Sequence, residues 1–276
     1  MHSLPEWEKT IIITDLIKKT TREHLKNSVF NTCEGGILTK ELGVIGGLGP
    51  MATAYFYELI VKMTDAKADG EHVPMIIYNR PDIPDRTDYI LGKSQDSPVN
   101  AIIAIGNSLA CLGVDIIAIP CVTVHYFFDE LLKGISIPII NMIEETANYL
   151  KENDIRKVGI MATDGTVSAG FFTEELEKKG IGTVIPSIAS QKKIMGIIYD
   201  SIKANMPYDI NEFRLVEKEL RDAGAQVIIL GCTELSLLKK DGYAGKGFLD
   251  VMEVLAVKSI EFSGASVKEE YKNLIT

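Results

Sequence analysis

The sequence predicts an α/β protein of two similar three-layer α/β/α lobes, each with a parallel sheet. The lobes are related by a pseudo-two-fold duplication, with the site in the cleft between them. Three observations predict this. From Leu42 onward, short apolar runs alternate with amphipathic stretches of helix length, as in parallel sheets covered by helices on both faces. The order strand, glycine-containing turn, helix and later cysteine strand occurs twice, Gly43 to Cys121 spanning 78 positions and Val158 to Cys232 spanning 74. Finally, both cysteine strands, Asp115-Ile-Ile-Ala-Ile-Pro-Cys121 and Gln226-Val-Ile-Ile-Leu-Gly-Cys232, carry a thiol at the carboxyl end, where open α/β sheets bind ligands.

The elements follow in order. Residues 1–41 differ from the rest and read as an appended N-terminal segment, with helical spacing over 6–26 and a loop over 31–36 that holds Cys33. A buried strand over 42–45 runs into Gly46-Gly-Leu-Gly-Pro50, and a helix follows over 52–67. A strand over 75–78, a proline-punctuated loop over 79–87 and a helix over 98–112 lead to the first cysteine strand; on that helix Cys111 reads as core packing. A helix over 127–133, a short strand over 138–140 and a helix over 142–153 complete the first pass. The pattern restarts with a strand over 157–161 ending in Ala162-Thr-Asp-Gly-Thr166, a helix over 169–179 and a strand over 182–185. Helices over 192–203 and 210–223 precede the second cysteine strand, and 251–262 is helical. The expected division is 1–41 as an extension, 42–140 with 250–276 as the first lobe, and 141–249 as the second.

Bulk properties exclude several classes. With 276 residues, 46% hydrophobic and 24% charged, the chain can bury a substantial core. A net charge of −9 without a compensating Lys/Arg cluster argues against a nucleic-acid partner. No apolar run reaches the roughly 20 residues of a membrane span, and Ile11-Ile-Ile13 stops at Thr14-Asp15, so no signal segment is expected. Four irregularly spaced cysteines form neither a disulfide framework nor a CxxC metal pair, so a cytoplasmic protein with reduced thiols is expected and no metal site.

The candidate chemistry lies at the strand ends. Cys121 and Cys232 each read in two ways: as a small buried core residue, or as a reactive thiol. Their matching place in a duplicated unit favours function, because independent core cysteines have no reason to correspond. Two thiols facing one ligand could take a proton from one face of a carbon and return it to the other. A free thiol of pKa about 8.5 is only a few per cent thiolate at neutral pH. Bringing it near 7 takes roughly 2 kcal/mol, the upper end of what a partly buried helix terminus supplies. An ionisable neighbour would help, and His125 and Glu234 are the candidates, against their alternatives as a capping histidine and a dipole-compensating glutamate. Gly46-Gly-Leu-Gly-Pro50 is neither GxGxxG nor a P-loop, yet its glycines and the following helix suit a carboxylate, as does Ala162–Thr166. Thr123 and Thr233 suit capping or donation to a ligand. Arg86 and Lys203 are isolated cations, which more often belong to solvated surface.

Taken together, GVIGGLGPMATAYF (43–56), NRPDIPDRT (79–87), IPCVTVHYF (119–127), ATDGT (162–166), IYDSIK (198–203) and LGCTE (230–234) resemble the cofactor-independent aspartate/glutamate racemase family, over 42 to about 255. The resemblance implies an isomerase of amino-acid metabolism, a cytoplasmic homodimer acting on an acidic amino acid without pyridoxal phosphate or another cofactor. It implies that Cys121 and Cys232 are the catalytic thiolate and thiol. Arg86 and Lys203 would then recognise substrate, and Gly49, Met51, Thr53, Thr123, Thr166 and Thr233 would bind the α-carboxylate or shape the pocket. One departure is Val122, where the family commonly has asparagine in Cys-Asn-Thr-Ala-His; this opens the choice among aspartate, glutamate and broader substrates. The alternatives are another two-cysteine enzyme of the superfamily, such as a maleate isomerase or hydantoin racemase, and a non-catalytic two-lobed protein that binds an anionic metabolite.

Overall fold

The computed structural model describes residues 39–275, so the extension expected over 1–41 lies outside the described residues up to residue 38, and Cys33 with it. The first half opens with strand β1 (Leu42–Gly46), buried along its whole length. Helix α1 (Pro50–Met63) starts on a proline, whose fixed φ suits a first helical position and whose missing N–H costs nothing there. Its residues Ala52, Tyr55, Phe56, Leu59, Ile60 and Met63 recur at helical spacing and are buried. Strand β2 (Met75–Asn79) is followed by α2 (Arg86–Ile90), α3 (Val99–Leu112) and β3 (Ile116–Ala118). A 3₁₀ turn (Val122–Phe127), α4 (Phe128–Gly134) and α5 (Met142–Glu152) close the half.

The second half repeats the plan with β4 (Lys157–Met161), α6 (Asp164–Ala169), α7 (Phe171–Lys178), β5 (Gly182–Val184) and α8 (Ile188–Met195), which widens into a π turn (Gly196–Ile202). Helix α9 (Ile210–Asp222), β6 (Val227–Leu230), α10 (Ser236–Lys240), β7 (Phe248–Asp250) and α11 (Val251–Phe262) follow.

Both sheets are parallel. The first runs β2-β1-β3, with Leu42 opposite Met75 on one side and Ile116 on the other. A parallel bridge from Ile117 to Ile139 continues it where a strand over 138–140 is expected. The second runs β5-β4-β6-β7, with Val158 opposite Val227 and Ile228 opposite Phe248. The two orders superimpose, β1 on β4 and β3 on β6, so the duplication is real at the level of topology.

Alternation explains the layering. Leu42 and Val44 of β1, Val158 and Ile160 of β4 and Val227 and Ile229 of β6 enter one continuous core that takes in α1, α5 and α11. The intervening residues Ile45 and Ile117 enter a separate cluster of the first half, and Met161, Ile228 and Leu230 one of the second. A strand apolar on both faces is what a parallel sheet between helix layers requires. Helix α11 packs on both α1 and α5.

Several expectations need correction. The helix expected over 169–179 runs over 171–178, and a short helix not expected precedes it over 164–169, the two separated at Gly170 with its φ of 72°. β7 is unanticipated: only three residues long, it ends at Asp250, which caps α11. The loop over 79–87 ends early because Asp85 accepts the Asp88 N–H and starts α2. Cys111 is exposed rather than core, since α3 buries the stripe Val99, Ile102, Ile105, Gly106, Leu109 and Ala110.

Gly47 has φ of 91°, and a Cβ there would lie 2.4 Å from the backbone carbon of Arg80. Gly47→Ala is expected to lower unfolding free energy by about 2–3 kcal/mol, read as a lower urea midpoint with an unchanged m-value.

Candidate active site

The strands deliver both thiols to the same place. Three residues past β3, Cys121 adopts extended backbone at the start of the 3₁₀ turn, and its Sγ lies 3.3 Å from Thr123 Oγ1. Two residues past β6, Cys232 follows Gly231, whose N–H donates to the carbonyl of Met161 at 2.7 Å and keeps the turn against β4. Both cysteines line one narrow inner cleft, with a free volume of only about 10 Å³, together with Leu48, Arg86, Val122, Thr123, Thr166, Lys203, Thr233 and Glu234. This is the closest grouping of the expected residues. Gly49 and Met51 instead line a wider outer pocket of about 390 Å³, which shares Leu48, Asp85, Arg86, Lys203 and Glu234 with the cleft. Thr53 lines neither: its hydroxyl accepts the Gly47 N–H and donates to the Gly49 carbonyl, both at 2.9 Å, stapling the turn.

Charge is distributed unevenly around the thiols. Arg86 is 6% exposed and donates to the carbonyls of Ile83, Pro84 and Leu48, while its Nε has no partner. Burial pulls its pKa down, but Cys121, Asp85 and Glu234 outweigh this and hold the guanidinium charged. Cys232 donates to Glu234 Oε2 at 2.9 Å. Burial, then the negative charge of Glu234, pushes this thiol well above the usual range, with Lys203 opposing. Glu234 therefore favours the proton on Cys232 rather than easing its loss, which corrects the expectation of an activating neighbour. Burial also opposes the charge of Lys203, but Glu234, Cys232, Tyr199 and Asp85 outweigh it and raise its pKa.

His125 is likewise placed differently from the expected thiol neighbour. Its Nε2 accepts the backbone N–H of Met142 at 3.2 Å and so carries no proton, which makes Nδ1 the donor to the carbonyl of Cys121 at 3.1 Å. The ring fixes the backbone of the thiol turn and stacks on Phe128, centroids 5.6 Å apart.

Sequence reasoning missed Asp85, Tyr199, Thr87 and Thr163, which join the two halves. Tyr199 donates to both Asp85 oxygens at 3.2 and 3.3 Å, and Lys203 Nζ lies 3.5 Å from Asp85 Oδ2 and 4.0 Å from the Tyr199 ring centroid. Thr87 donates to Thr163 at 3.3 Å. Burial raises the Asp85 pKa, but Lys203, the Asp88 N–H, Arg86 and Tyr199 together bring it below the usual value. The phenol of Tyr199 is pushed up to about 12, chiefly by burial. The π turn places Tyr199 and Lys203 together, and widened turns recur at functional sites. A Ser/Thr/Asp-rich contact between distant segments leaves no periodic signal; the string DRT at 85–87 beside IYDSIK at 198–203 was its sole trace.

Among the described residues no group of His, Cys, Asp and Glu is placed to hold a metal ion, and no helix is long and apolar enough to cross a membrane.

Residues 45–258 match the family model described as Asp/Glu/Hydantoin racemase. The chain belongs to this family. It is similar to an aspartate racemase from Picrophilus torridus, 34% identical with a TM-score of 0.75, the match covering 84% of this chain and 98% of that one. It is similar to an aspartate racemase homologue from Pyrococcus horikoshii OT3, 27% identical with a TM-score of 0.67, covering 82% of this chain and 99% of that one. In sequence it is similar to the broad specificity amino-acid racemase RacX of Bacillus subtilis (strain 168), 26% identical over 201 residues, 71% of this chain and 86% of that protein. Membership in the Asp/Glu/Hydantoin racemase family supports an isomerase, and the two parallel sheets match the two-lobed fold of these neighbours.

One pH effect follows from this racemase fold. Burial lowers the His125 pKa, so the unfolded chain binds a proton that the folded one refuses. The stability gained by a neutral His125 is present above about pH 6.5 and is lost as pH falls toward the depressed value. Between pH 7 and 5, wild type is expected to lose about 1 kcal/mol more than His125→Gln, measured by urea unfolding at each pH.

Proposed function

We propose that this chain is a cofactor-independent racemase of acidic amino acids, in which Cys121 and Cys232 act as a two-base pair on the α-carbon. The observation that carries this reading is a single narrow cleft lined by both strand-end thiols, with Arg86 from one half and Lys203 from the other. On this reading one cysteine is thiolate and abstracts the α-proton, while the other is thiol and reprotonates the opposite face. The two exchange states with each turnover. Thr123, Thr166 and Thr233 border the substrate, with Gly49 and Met51 at the outer mouth, and Arg86 and Lys203 bind its carboxylates. The α-proton of an amino acid is far less acidic than a thiol. Donors that hold the carboxylate more tightly as charge develops, in a site emptied of water, must supply much of the stabilisation.

Val122 supports a second reading, a broader substrate range within the same chemistry. It is buried among apolar groups and offers no amide to the cleft. The likeness to a broad specificity racemase agrees with this. We further read the enzyme as a cytoplasmic homodimer, the compartment keeping its thiols reduced; sedimentation equilibrium measures the assembly.

The test is incubation with L-aspartate, L-glutamate and a panel of neutral amino acids in D₂O under reducing conditions, following Cα deuteration and chirality. Racemisation with deuterium incorporation is expected for at least one acidic amino acid. Absence of exchange with every amino acid removes the racemase reading. Cys121→Ser and Cys232→Ser are each expected to lower racemisation by about 10³-fold or more, and full activity in either would overturn the two-base assignment. Arg86→Lys keeps the charge but loses the planar fork, and should raise KM about tenfold or more for a dicarboxylic substrate.

A further inference from the structure

We propose that Glu234 is a catalytic residue that returns a proton to Cys232 between turnovers, linking this buried thiol to solvent in the outer pocket; the proposal rests on the two-thiol reading above. The need for such a group follows from proton accounting. When Cys121 takes the α-proton and Cys232 gives its own to the product, the enzyme is left with Cys121 as thiol and Cys232 as thiolate. To act again on the same enantiomer it must lose a proton from Cys121 and gain one at Cys232. Cys232 is 7% exposed and borders the inner cleft but not the outer pocket.

Glu234 has the required geometry. Its Oε2 accepts from Cys232 Sγ at 2.9 Å and from Thr233 Oγ1 at 3.4 Å. Its Oε1 is buried without a hydrogen-bond partner and faces the Gly49 turn, where an added Cβ would sit 3.1 Å from it. The carboxylate borders both the inner cleft and the outer pocket. The other charged groups that border both spaces are otherwise engaged: Asp85 with Tyr199, Lys203 and the Asp88 N–H, and Arg86 and Lys203 as held cations. Glu234 is thus the group among them that touches a thiol and keeps an unpartnered, buried oxygen beside the Gly49 turn, which lines the outer pocket.

The step balances simply. A hydronium ion from solvent in the outer pocket gives a proton to Oε1 and becomes water; once product leaves, Cys121 gives its proton to a water entering the inner cleft, which restores the hydronium. The carboxyl group rotates about Cγ–Cδ and delivers the proton to Cys232 Sγ, returning as carboxylate. Glycine at position 49 leaves room beside Oε1 for this exchange.

Two measurements on the full chain test the proposal. In the first, iodoacetamide labelling of each cysteine is followed by peptide mapping from pH 6 to 10, and needs no racemase activity. Glu234→Gln should move the labelling midpoint of Cys232 at least one pH unit lower and leave that of Cys121 in place. In the second, Glu234→Gln should lower steady-state kcat at least tenfold and lower single-turnover racemisation, with enzyme in excess, by a clearly smaller factor. Glu234→Asp should recover part of kcat. An unchanged kcat in Glu234→Gln, or equal losses in both phases, overturns the proton-return role. An unmoved Cys232 midpoint overturns the pairing itself. If wild type proves inactive on all amino acids while the Cys232 midpoint still moves, the racemase reading fails and the proton-return role with it, leaving only the thiol–carboxylate pair.

Discussion

Asp85 closes the seam between the two halves, and much of the site depends on where this one carboxylate sits. Its Oδ1 accepts the Asp88 N–H and so starts α2, which fixes Arg86 at the first helical position. The same side chain holds Tyr199, on the π turn of the other half, and Lys203, the residue that follows it. A half-buried carboxylate is costly unless its lone pairs are filled, and here a helix start, a phenol and an ammonium fill them. Remove any of these and the remaining groups sit next to an under-satisfied charge. The contact therefore does two tasks at once: it orients the cation of the first half and draws the cation of the second across the cleft.

The duplication delivers two thiols at equivalent strand ends, but their surroundings differ in sign. Arg86 borders Cys121, while Cys232 donates to Glu234 and is raised by burial and by that charge. Two identical groups in identical surroundings would titrate as one coupled pair, with no preference for which carries the proton. Opposite neighbours break this tie without altering the backbone that positions either thiol. A symmetric fold can thus hold an asymmetric charge pattern, because the strands set where the sulfurs lie and the loops set what they face.

The legible parts of this chain were those governed by period and spacing. Strands apolar on both faces, such as 42–45 and 227–230, announce a parallel sheet, and the repeated spacing to Cys121 and Cys232 announces the second half. The helix expected over 251–262 matches α11 to the residue, and the structure shows Asp250 capping its start. What escaped was contact between distant segments. Asp85 and Tyr199 meet across 114 positions, and no local pattern marks that. His125 illustrates the converse: four residues from a thiol in sequence, it turns its ring to backbone groups, because a 3₁₀ turn carries the side chain away from Sγ. Glu234 was legible as a neighbour but not in its effect, since the sign of a charge's influence on a thiol depends on which protonation state it bonds.

Val122 determines how polarity is shared inside the cleft. Its side chain joins the continuous core with Val44, Ala118 and Ile140, so the turn after Cys121 is anchored by apolar packing. The first half then brings polar side chains to the inner cleft at Asp85, Arg86, Thr87 and Thr123, and the second at Thr163, Thr166, Tyr199, Lys203, Thr233 and Glu234. An amide at position 122 would demand both a donor and an acceptor from whatever fills the cleft, and would penalise any occupant lacking them. Valine makes no such demand. The unpartnered Nε of Arg86 does make one, for an acceptor alone. An acceptor placed beside that buried N–H would satisfy it, whereas an apolar group would not.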